Sequence, residues 1–385
     1  MRILWHSVSP LAQTGYGILT RYMIRKLRDM GHFIRVATRH IDHQWTNWEG
    51  FEIVEGINLD HVNLMLKDED FDLIFTLWDI WQLDGKAVFP VDKWVAYIPV
   101  DAQSIPAKLA NVAVKTGAQI AMSLHGKAEL EKLGLTPLYG PPGISTSTFH
   151  PKPDRRKVLR DAWGLTDDNF LIGSVGLNYS DDRKGFFPLM QAFRAFHERR
   201  PEARLYIHTH WPGIISGTVN YAQIAQGIGV SDYILVPDQA KYDTGRISPD
   251  QMADIYNAMD VFCLATKGEG FGIPTVEAQA CGVPAVVTDN TTSRQLCASG
   301  WLIHVDPLDD LFWMFNQAWR LEARPSEILK QLEIAYAYWK GAEWTARKVQ
   351  ALELGREYEW EKIWEEHWIP IFKQLEERFG RQGND

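Results

Sequence analysis

Short apolar runs alternate with helix-patterned segments along most of this 385-residue chain. In the first part of the chain, apolar runs predict strands at 3–8, 33–38, 72–78, 93–100 and 118–124. Between the first two runs, apolar residues recur at helical spacing from Ile18 to Met30, and Gly31 follows as a stop signal. Strands that alternate with helices in this way form parallel sheets covered by helices. The first part of the chain is therefore expected to be a doubly wound α/β domain.

The same alternation restarts after a segment rich in proline, glycine, serine and threonine, YGPPGISTSTFHPKP at 139–153. Such a composition is typical of a link between domains. Further strands are predicted at 170–177, 203–210, 233–237, 260–266, 284–289 and 301–305. After Pro325 the pattern becomes helical and acidic. We therefore predict two Rossmann-like domains, at 1–150 and 151–354, followed by a helical segment at 355–385.

Composition narrows the class of protein. Hydrophobic residues make up 45% of the chain and charged residues 23%, which is typical of a globular protein. The formal net charge of −9 counts against a protein built mainly to hold nucleic acid, because such proteins are usually basic. The three cysteines match no metal-ligand spacing and favour a reduced, cytoplasmic protein. No apolar run approaches the roughly 18 residues of a membrane span.

Two glutamates flank a glycine-rich turn in the stretch KGEGFGIPTVEAQACG. Glu269 lies in the loop that follows the predicted strand 260–266, and Glu277 lies about one turn into a helix predicted from Ile273 to Ala280. Ligands of open parallel sheets bind at the carboxyl ends of the strands. Both carboxylates are therefore expected to border a ligand site.

The glycines between these glutamates suit an anion. Gly270 and Gly272 allow a tight turn that exposes backbone N–H groups at the start of a helix, where an anion binds well. Carboxylates accept hydrogen bonds from pairs of hydroxyl groups, and N–H groups donate to phosphate or sugar oxygens. A nucleotide sugar offers both kinds of group, so the stretch predicts a nucleotide-sugar site.

The string E-G-F-G-I-P-x-x-E-A-x-A-x-G-x-P resembles the glutamate-x7-glutamate motif of retaining GT-B glycosyltransferases, in particular of glycosyltransferase family 4 (glycosyl transferases group 1). The resemblance implies that Glu269 contacts hydroxyls of the donor hexose and that Glu277 contacts the ribose. It also implies that donor-facing backbone is supplied by Gly270, Phe271, Gly272 and Ile273. The alternative interpretation is a helix with two unrelated exposed glutamates.

A second resemblance lies in SVGLNYSDDRKGFFPLMQAF, where the family carries cations for the leaving diphosphate. Lys184 and Gly185 match the family's lysine-glycine pair. The family's earlier arginine is replaced here by Leu177, so Arg183 or Asn178 is expected to contact the phosphate instead. Positioned cations stabilise the charge that develops on a departing phosphate. Alternatively, Arg183 and Lys184 form a solvated pair beside two aspartates.

The first domain resembles the family less closely. The loop SPLAQTGYGILTRY, with Gly15 and Gly17, resembles the family's glycine loop near the acceptor and the donor phosphates. Many members have histidine-aspartate after the strand predicted at 93–100, and this chain has Val100 and Asp101. The expected catalytic residues are thus Glu269, Lys184, Arg183 and Asp101. The segment WEKIWEEHWIPIFKQL resembles the family's final helix, which crosses back onto the first domain, and the GT-B fold implies two domains facing across a cleft.

Several other residues allow two interpretations. Tyr16 could stack on an acceptor ring or lie at the surface, and His125 could face the cleft or cap a helix. His208 and His210 alternate on a predicted strand without an obvious third ligand, and the family needs no bound metal, so neither a metal nor a cofactor is expected. The basic residues of the first helix could contact anionic lipid or form a solvated face; they are Arg21, Arg25, Lys26 and Arg28.

The resemblance implies a retaining glycosyltransferase that moves a hexose from a nucleoside-diphosphate sugar to an acceptor hydroxyl. The base of the donor, among UDP, GDP and ADP, and the acceptor stay open. The changes at Leu177 and Val100 motivate a non-catalytic nucleotide-sugar-binding protein on the same fold. Two further alternatives are an epimerase, for which no acidic pair is placed, and a glycosyltransferase acting on modified nucleic-acid bases, against which the acidic net charge counts.

Overall fold

The computed structural model describes residues 1–38, 47–86, 89–178, 180–213, 218–314 and 317–380. The chain divides into two compact units: Met1–Val100, Ser104–Pro142 and Ile363–Asp385 form the first, and Asp101–Gln103 and Gly143–Lys362 form the second. The first unit thus closes eight residues before the predicted boundary at 150 and takes up the chain again at Ile363 rather than near 355. The last five residues of the predicted tail lie outside the described residues.

The first unit is built on an eight-stranded sheet in the order β3-β4-β2-β1-β5-β6-β7-β8. Neighbouring strands are parallel except for β3 and β4, which are antiparallel. Its strands are β1 (Arg2–Ser7), β2 (Phe33–Thr38), β3 (Asn47–Trp48), β4 (Phe51–Glu55), β5 (Leu73–Leu77), β6 (Trp94–Ile98), β7 (Ala118–Ala121) and β8 (Leu138–Tyr139). Its helices before the linker are α1 (Gly15–Asp29), α2 (Leu59–Asp68), α3 (Ala107–Ala113) and α4 (Leu124–Glu131).

All five strands predicted in the first unit are present, but β3, β4 and β8 were not predicted. β3 and β8 have two residues each, too few to show a pattern. β4 has the sequence FEIVE and buries only alternate residues at its start, so it lacks the continuous apolar run of the central strands. The sheet is therefore wider than the apolar runs alone indicate.

The second unit has a six-stranded parallel sheet in the order β11-β10-β9-β12-β13-β14 and a separate two-stranded antiparallel hairpin, β15-β16. Its strands are β9 (Phe170–Val175), β10 (Ala203–His208), β11 (Ile234–Leu235), β12 (Val261–Leu264), β13 (Ala285–Thr288), β14 (Trp301–Ile303), β15 (Leu311–Trp313) and β16 (Trp319–Leu321). Its helices are α5 (Pro153–Ala162), α6 (Phe186–Arg199), α7 (Tyr221–Gly227), α8 (Gln239–Asp243), α9 (Pro249–Ala258), α10 (Ile273–Ala280), α11 (Pro325–Tyr338) and α12 (Ala342–Glu357). The six predicted strands of this sheet are all present, whereas the hairpin was not predicted.

The strand order of the second sheet reverses between β9 and β12. All six residues of β9 and all four of β12 are buried, as expected for central strands with helices on both faces. At such a reversal, ligands of open α/β sheets bind in a crevice at the carboxyl ends of the strands. The loops after β9 and β12 carry the two motifs singled out in the sequence.

The end of the chain returns to the first unit. A helical segment runs through α13 (Trp360–Ile363), a π-helical turn (Trp364–Trp368) and α14 (Ile369–Phe379). Trp368 is fully buried, its Nε1 donates to the carbonyl of Pro141 at 3.0 Å, and its ring meets Tyr97 edge-on. A Cβ atom at Gly140 would lie 2.9 Å from the Trp368 ring, so glycine is needed there. No described helix is long and apolar enough to cross a membrane.

Candidate functional site

The loops after β9 and β12 are joined to each other by backbone and hydroxyl hydrogen bonds. The Lys267 N–H donates to the Arg183 carbonyl at 2.8 Å, and the buried Thr266 hydroxyl lies 3.2 Å from that same carbonyl. A Cβ atom at Gly185 would lie 1.9 Å from the Ala265 carbonyl. Only glycine at position 185 therefore allows the two loops to pass this close to each other. This contact fixes Arg183 and Lys184 beside the loop that carries Glu269.

Lys184 and Glu269 form a buried ion pair. The Lys184 Nζ donates to Glu269 Oε1 at 2.6 Å, and the two side chains are 10% and 8% exposed. The stem of Lys184 lies over Gly176, where a Cβ atom would be 2.8 Å from Lys184 Cγ. The alternative of a solvated Arg183–Lys184 pair is therefore wrong for Lys184, because its charge is held inside the unit by a carboxylate 85 residues away in sequence.

Arg183 lies between two carboxylates. Its Nη1 donates to the Gly268 carbonyl at 2.7 Å and is 3.7 Å from both Glu269 Oε2 and Asp101 Oδ2. Because it is 24% exposed, its guanidinium can reach a bound ligand as well as these groups. All four residues predicted to be catalytic thus come together in the second unit.

Asp101 has a stronger partner that the sequence did not reveal. Arg320, on β16, donates from Nη2 to Asp101 Oδ1 at 2.6 Å and from Nε to the Asp101 carbonyl at 3.1 Å. Arg320 is 1% exposed, so its charge is neutralised by this carboxylate inside the unit. An isolated arginine in an aromatic-rich stretch gives no sequence signal for such a role.

Burial and charge act against each other on the pKa values of this cluster. Burial acts to raise the pKa of the Glu269 carboxyl, but Lys184 and Arg183 outweigh it and the net shift is downward. The pKa of Asp101 is likewise lowered, because Arg320 and Arg183 outweigh its burial. Burial lowers the pKa of Lys184 against the attraction of Glu269. Both carboxylates are therefore held in the ionised form, suited to accept hydrogen bonds from hydroxyl groups.

Glu277 is in a different environment from Glu269. It lies on α10, and its Oε2 accepts a hydrogen bond from the Tyr256 hydroxyl at 2.8 Å. Burial raises the pKa of Glu277 to about 7, although the Tyr256 hydrogen bond opposes the shift. Near neutral pH this carboxyl is therefore poised between its neutral and ionised forms. Tyr256 is the partner that the sequence did not indicate.

The turn between the two glutamates leads into α10 as the sequence predicted. Gly272 caps the helix with a φ of 107°, a backbone conformation that favours glycine, and Ile273 is the first helical residue. The Thr292 hydroxyl donates to the carbonyl of Gly270 at 3.1 Å, and Phe271 packs edge-on against Tyr358 at 5.4 Å. The turn is held in place by these contacts.

The Asn178 side chain is buried and forms hydrogen bonds within the protein. Its Nδ2 donates to the carbonyls of His210 and Val219, each at 2.7 Å, and its Oδ1 accepts from the Val219 N–H at 2.9 Å. The residue is 3% exposed. Its side chain therefore joins two loops, and these bonds count against the predicted contact with a donor phosphate.

Gly15 and Gly17 lie in the first unit, at the start of α1. The Thr14 hydroxyl accepts from the Gly17 N–H at 3.2 Å, and a Cβ atom at Gly17 would lie 2.1 Å from the Ala12 carbonyl. The Tyr16 hydroxyl donates to Asp79 at 2.9 Å, in the loop after β5. The glycine loop is therefore tightly folded at the reversal of the first sheet, between β1 and β5.

The other candidates have partners within their own unit. His125 lies inside α4, whose N-cap is Ser123, so the predicted capping role belongs to Ser123. His208 contacts the Tyr206 hydroxyl, and burial lowers its pKa to about 4. On α1, Arg25 pairs with Glu49. In the described part of the chain, no three His, Cys, Asp or Glu residues are grouped so that they could hold a metal ion.

The strands of the second sheet lie within a segment that matches a known protein family. Residues 169–312 match the model of the family described as glycosyl transferases group 1. The matched segment is less than half of the chain. The matched segment runs from β9 into β15 and contains Lys184, Glu269 and Glu277, for which the family resemblance was noted, together with Arg183.

Curated relatives share this region. The chain is 27% identical over 176 residues to mannosylfructose-phosphate synthase of Agrobacterium fabrum, covering 44% of this chain and 36% of that protein. It is 29% identical over 227 residues to a D-inositol 3-phosphate glycosyltransferase of Xylanimonas cellulosilytica, covering 56% of this chain and 50% of that protein. The chain thus spans half or less of the length of these relatives.

Solved structures extend the similarity to both units. Sucrose-phosphate synthase from Thermosynechococcus elongatus has a TM-score of 0.73 at 18% identity, over 97% of this chain and 99% of that one. HepE from Anabaena, solved in complex with UDP and glucose, has a TM-score of 0.70 at 15% identity, over 98% of this chain and 100% of that one. The predicted fold class is confirmed: the chain has the two-domain α/β architecture of GT-B glycosyltransferases.

Proposed function

We propose that this protein is a retaining glycosyltransferase that moves a hexose from a nucleoside-diphosphate sugar to an acceptor hydroxyl. The observation that carries the proposal is the cluster of Arg183, Lys184 and Glu269 at the reversal of the second sheet, with Glu277 eight positions after Glu269. The HepE structures with UDP and UDP-glucose support a nucleotide-sugar donor.

Each residue of the cluster has a role in the proposed reaction. Lys184 has three donor hydrogens, so it can keep its bond to Glu269 and still donate to a phosphate oxygen. Arg183 binds the same diphosphate, and these cations, rather than a metal ion, balance its charge. Glu269, kept ionised, accepts hydrogen bonds from hydroxyls of the hexose, and Glu277 accepts them from the ribose. The Asp101 and Glu269 carboxylates each lie 3.7 Å from the Arg183 Nη1 and attract its guanidinium toward the site.

The proposed transfer needs no side chain as a general base. The acceptor oxygen bonds to C1 of the hexose on the face from which the diphosphate departs, and the bond between C1 and the phosphate oxygen breaks. The acceptor proton passes to the departing phosphate oxygen, which carries the negative charge. The protein contributes by orienting the sugar and by stabilising that charge.

Nucleotide binding tests the donor site first. We expect the melting temperature of the full chain to rise with one of UDP, GDP or ADP or their sugars, since a ligand at 100 times its Kd stabilises the folded state by about 2.7 kcal/mol. Glu277→Ala should reduce this rise. Glu353→Ala, which removes an exposed glutamate of α12, is the matched control and should keep it. If no nucleotide shifts the melting temperature, the proposal is wrong.

A turnover measurement then distinguishes a glycosyltransferase from a protein that only binds the nucleotide sugar. Release of the nucleoside diphosphate in the presence of candidate acceptors, with the anomeric configuration of the product determined by NMR, tests the retaining reaction. The second candidate is a protein that binds a nucleotide sugar without transferring it, because Leu177, 54% exposed, stands where the family resemblance implies an arginine. Donor binding with no turnover on any acceptor, including water, favours this second candidate.

A further inference from the structure

The hairpin β15-β16 is bonded to the short segment that carries Asp101. Besides the two bonds from Arg320 to Asp101, the Gln103 N–H donates to the Trp319 carbonyl at 3.1 Å. On the other side, a Cβ atom at Gly268 would lie 2.0 Å from the Asp101 carbonyl. The segment 101–103 is therefore held between the hairpin and the loop that carries Glu269.

Arg320 changes the charge balance of the cluster. Arg183, Lys184 and Arg320 face the carboxylates of Asp101 and Glu269, which leaves a net positive charge of one. Without Arg320, two cations would face two carboxylates. A cluster that is to bind a diphosphate needs the surplus, because each unpaired carboxylate nearby repels the ligand.

Arg320 also determines where the Asp101 carboxylate lies. Oδ1 is 2.6 Å from Arg320, while Oδ2 stays 3.7 Å from Arg183. A carboxylate deprived of Arg320 would be drawn to the next cation, and bidentate pairing with Arg183 would occupy that guanidinium. Arg320 therefore keeps Asp101 from closing onto Arg183.

We propose that Arg320 is a positioning residue of the donor site: by binding Asp101 it keeps Arg183 and Lys184 available to the diphosphate of the donor. This inference rests on the proposed function, since it concerns the same site. Arg320 itself is 1% exposed and acts through Asp101. The hairpin thereby becomes part of the substrate-binding machinery of this chain.

Calorimetric titration of the full chain with UDP, GDP and ADP tests the proposal. Arg320→Met keeps most of the side-chain volume and leaves Asp101, whose side chain is 35% exposed, in contact with water, so the variant is expected to fold. We expect it to weaken binding of the preferred nucleoside diphosphate about tenfold. Arg320→Lys should recover part of that loss. Arg324→Met removes a neighbouring arginine that pairs with Asp310, and it should bind as the wild type does.

The double variant D101N/R320M identifies the route of the effect. If Arg320 acts by restraining the Asp101 carboxylate, the added change R320M should alter the Kd of D101N by no more than about threefold. Equal binding by the wild type and R320M overturns the inference but leaves the proposed function standing. A tenfold loss that persists in the D101N background also overturns it, because Arg320 would then act through its own charge rather than by restraining Asp101. Failure of the wild type to bind any nucleoside diphosphate overturns both.

Discussion

At the scale of single residues, the two glutamates of the motif differ in protonation although they lie eight positions apart. Lys184 and Arg183 outweigh burial at Glu269 and lower its pKa, whereas burial dominates at Glu277 and raises its pKa to about 7. The difference follows from the partners: Glu269 faces two cations, and Glu277 faces the neutral Tyr256 hydroxyl. The Glu269 carboxylate is therefore ready to accept hydrogen bonds from hydroxyls at physiological pH, whereas the protonation of Glu277 changes in that range.

The raised pKa of Glu277 predicts a pH dependence of stability. Between about 4.5 and about 7, the folded state holds a proton on Glu277 that the unfolded state has lost, so the free energy of unfolding falls as the pH rises. Glu277→Gln, which is neutral throughout, lacks this loss, and its stability relative to the wild type should increase from pH 5 to pH 7.5 in urea unfolding. E353Q, at an exposed site of α12, should follow the wild type. A constant difference between wild type and E277Q across this range would contradict the prediction.

At the scale of elements, the two helices that border the site both begin at a glycine with positive φ. Gly185 precedes α6 with a φ of 68°, and Gly272 precedes α10 with a φ of 107°. At α6, the Asp182 carboxylate also accepts from the N–H groups of Phe186 and Phe187. Of these two glycines, Gly185 is the crowded one, since a Cβ atom there would lie 1.9 Å from the Ala265 carbonyl. At Gly272 the atom nearest to an added Cβ would be 3.5 Å away.

This difference predicts unequal effects of alanine at the two helix starts. Gly272→Ala imposes only the left-handed backbone on a side chain and should cost about 1–2 kcal/mol of stability. Gly185→Ala adds a clash with backbone that cannot rotate away, so it should cost more and should also weaken nucleotide binding, because Lys184 must shift with its neighbour. Urea unfolding midpoints and nucleotide titration measure both effects. Equal destabilisation by the two substitutions would show that the loops after β9 and β12 separate easily.

At the scale of the whole molecule, each unit has its own buried core. Trp344 belongs to the core of the second unit, which includes Phe170 of β9. Trp368 belongs to the first unit, although it follows the whole of the second unit in the chain. The last helices therefore complete a core that the first hundred residues begin.

Because each unit has its own core, a core substitution in one unit is expected to destabilise that unit and not the other. Trp368→Ala should destabilise the first unit by about 3–5 kcal/mol, because it removes a fully buried ring and leaves the Pro141 carbonyl without its donor. Trp344→Ala is the matched substitution in the second unit. Limited proteolysis followed by mass spectrometry should show cleavage within 1–142 first in W368A and within 143–362 first in W344A. Cleavage of the same unit first in both variants would contradict the independence of the cores.

The sequence by itself determined the class of fold and the two loops of the candidate site. Central parallel strands are continuous apolar runs, and the residues after them must lie at the carboxyl edge, so Glu269 could be assigned to that edge from local patterns, whereas Lys184 was singled out by the family resemblance. The turn at Gly272 and the start of α10 at Ile273 were equally readable, because backbone conformation and helix capping depend on neighbouring residues.

Only the tertiary structure decided the partners and charges of that site. Arg320 and Asp101 are 219 residues apart, and no local pattern links them. The proton affinity of Glu277 depends on what surrounds α10, and the use of Asn178 depends on where His210 and Val219 come to lie. Burial, ion pairing and hydrogen bonding between distant segments arise when the chain folds, so they are properties of the packed molecule rather than of any stretch of its sequence.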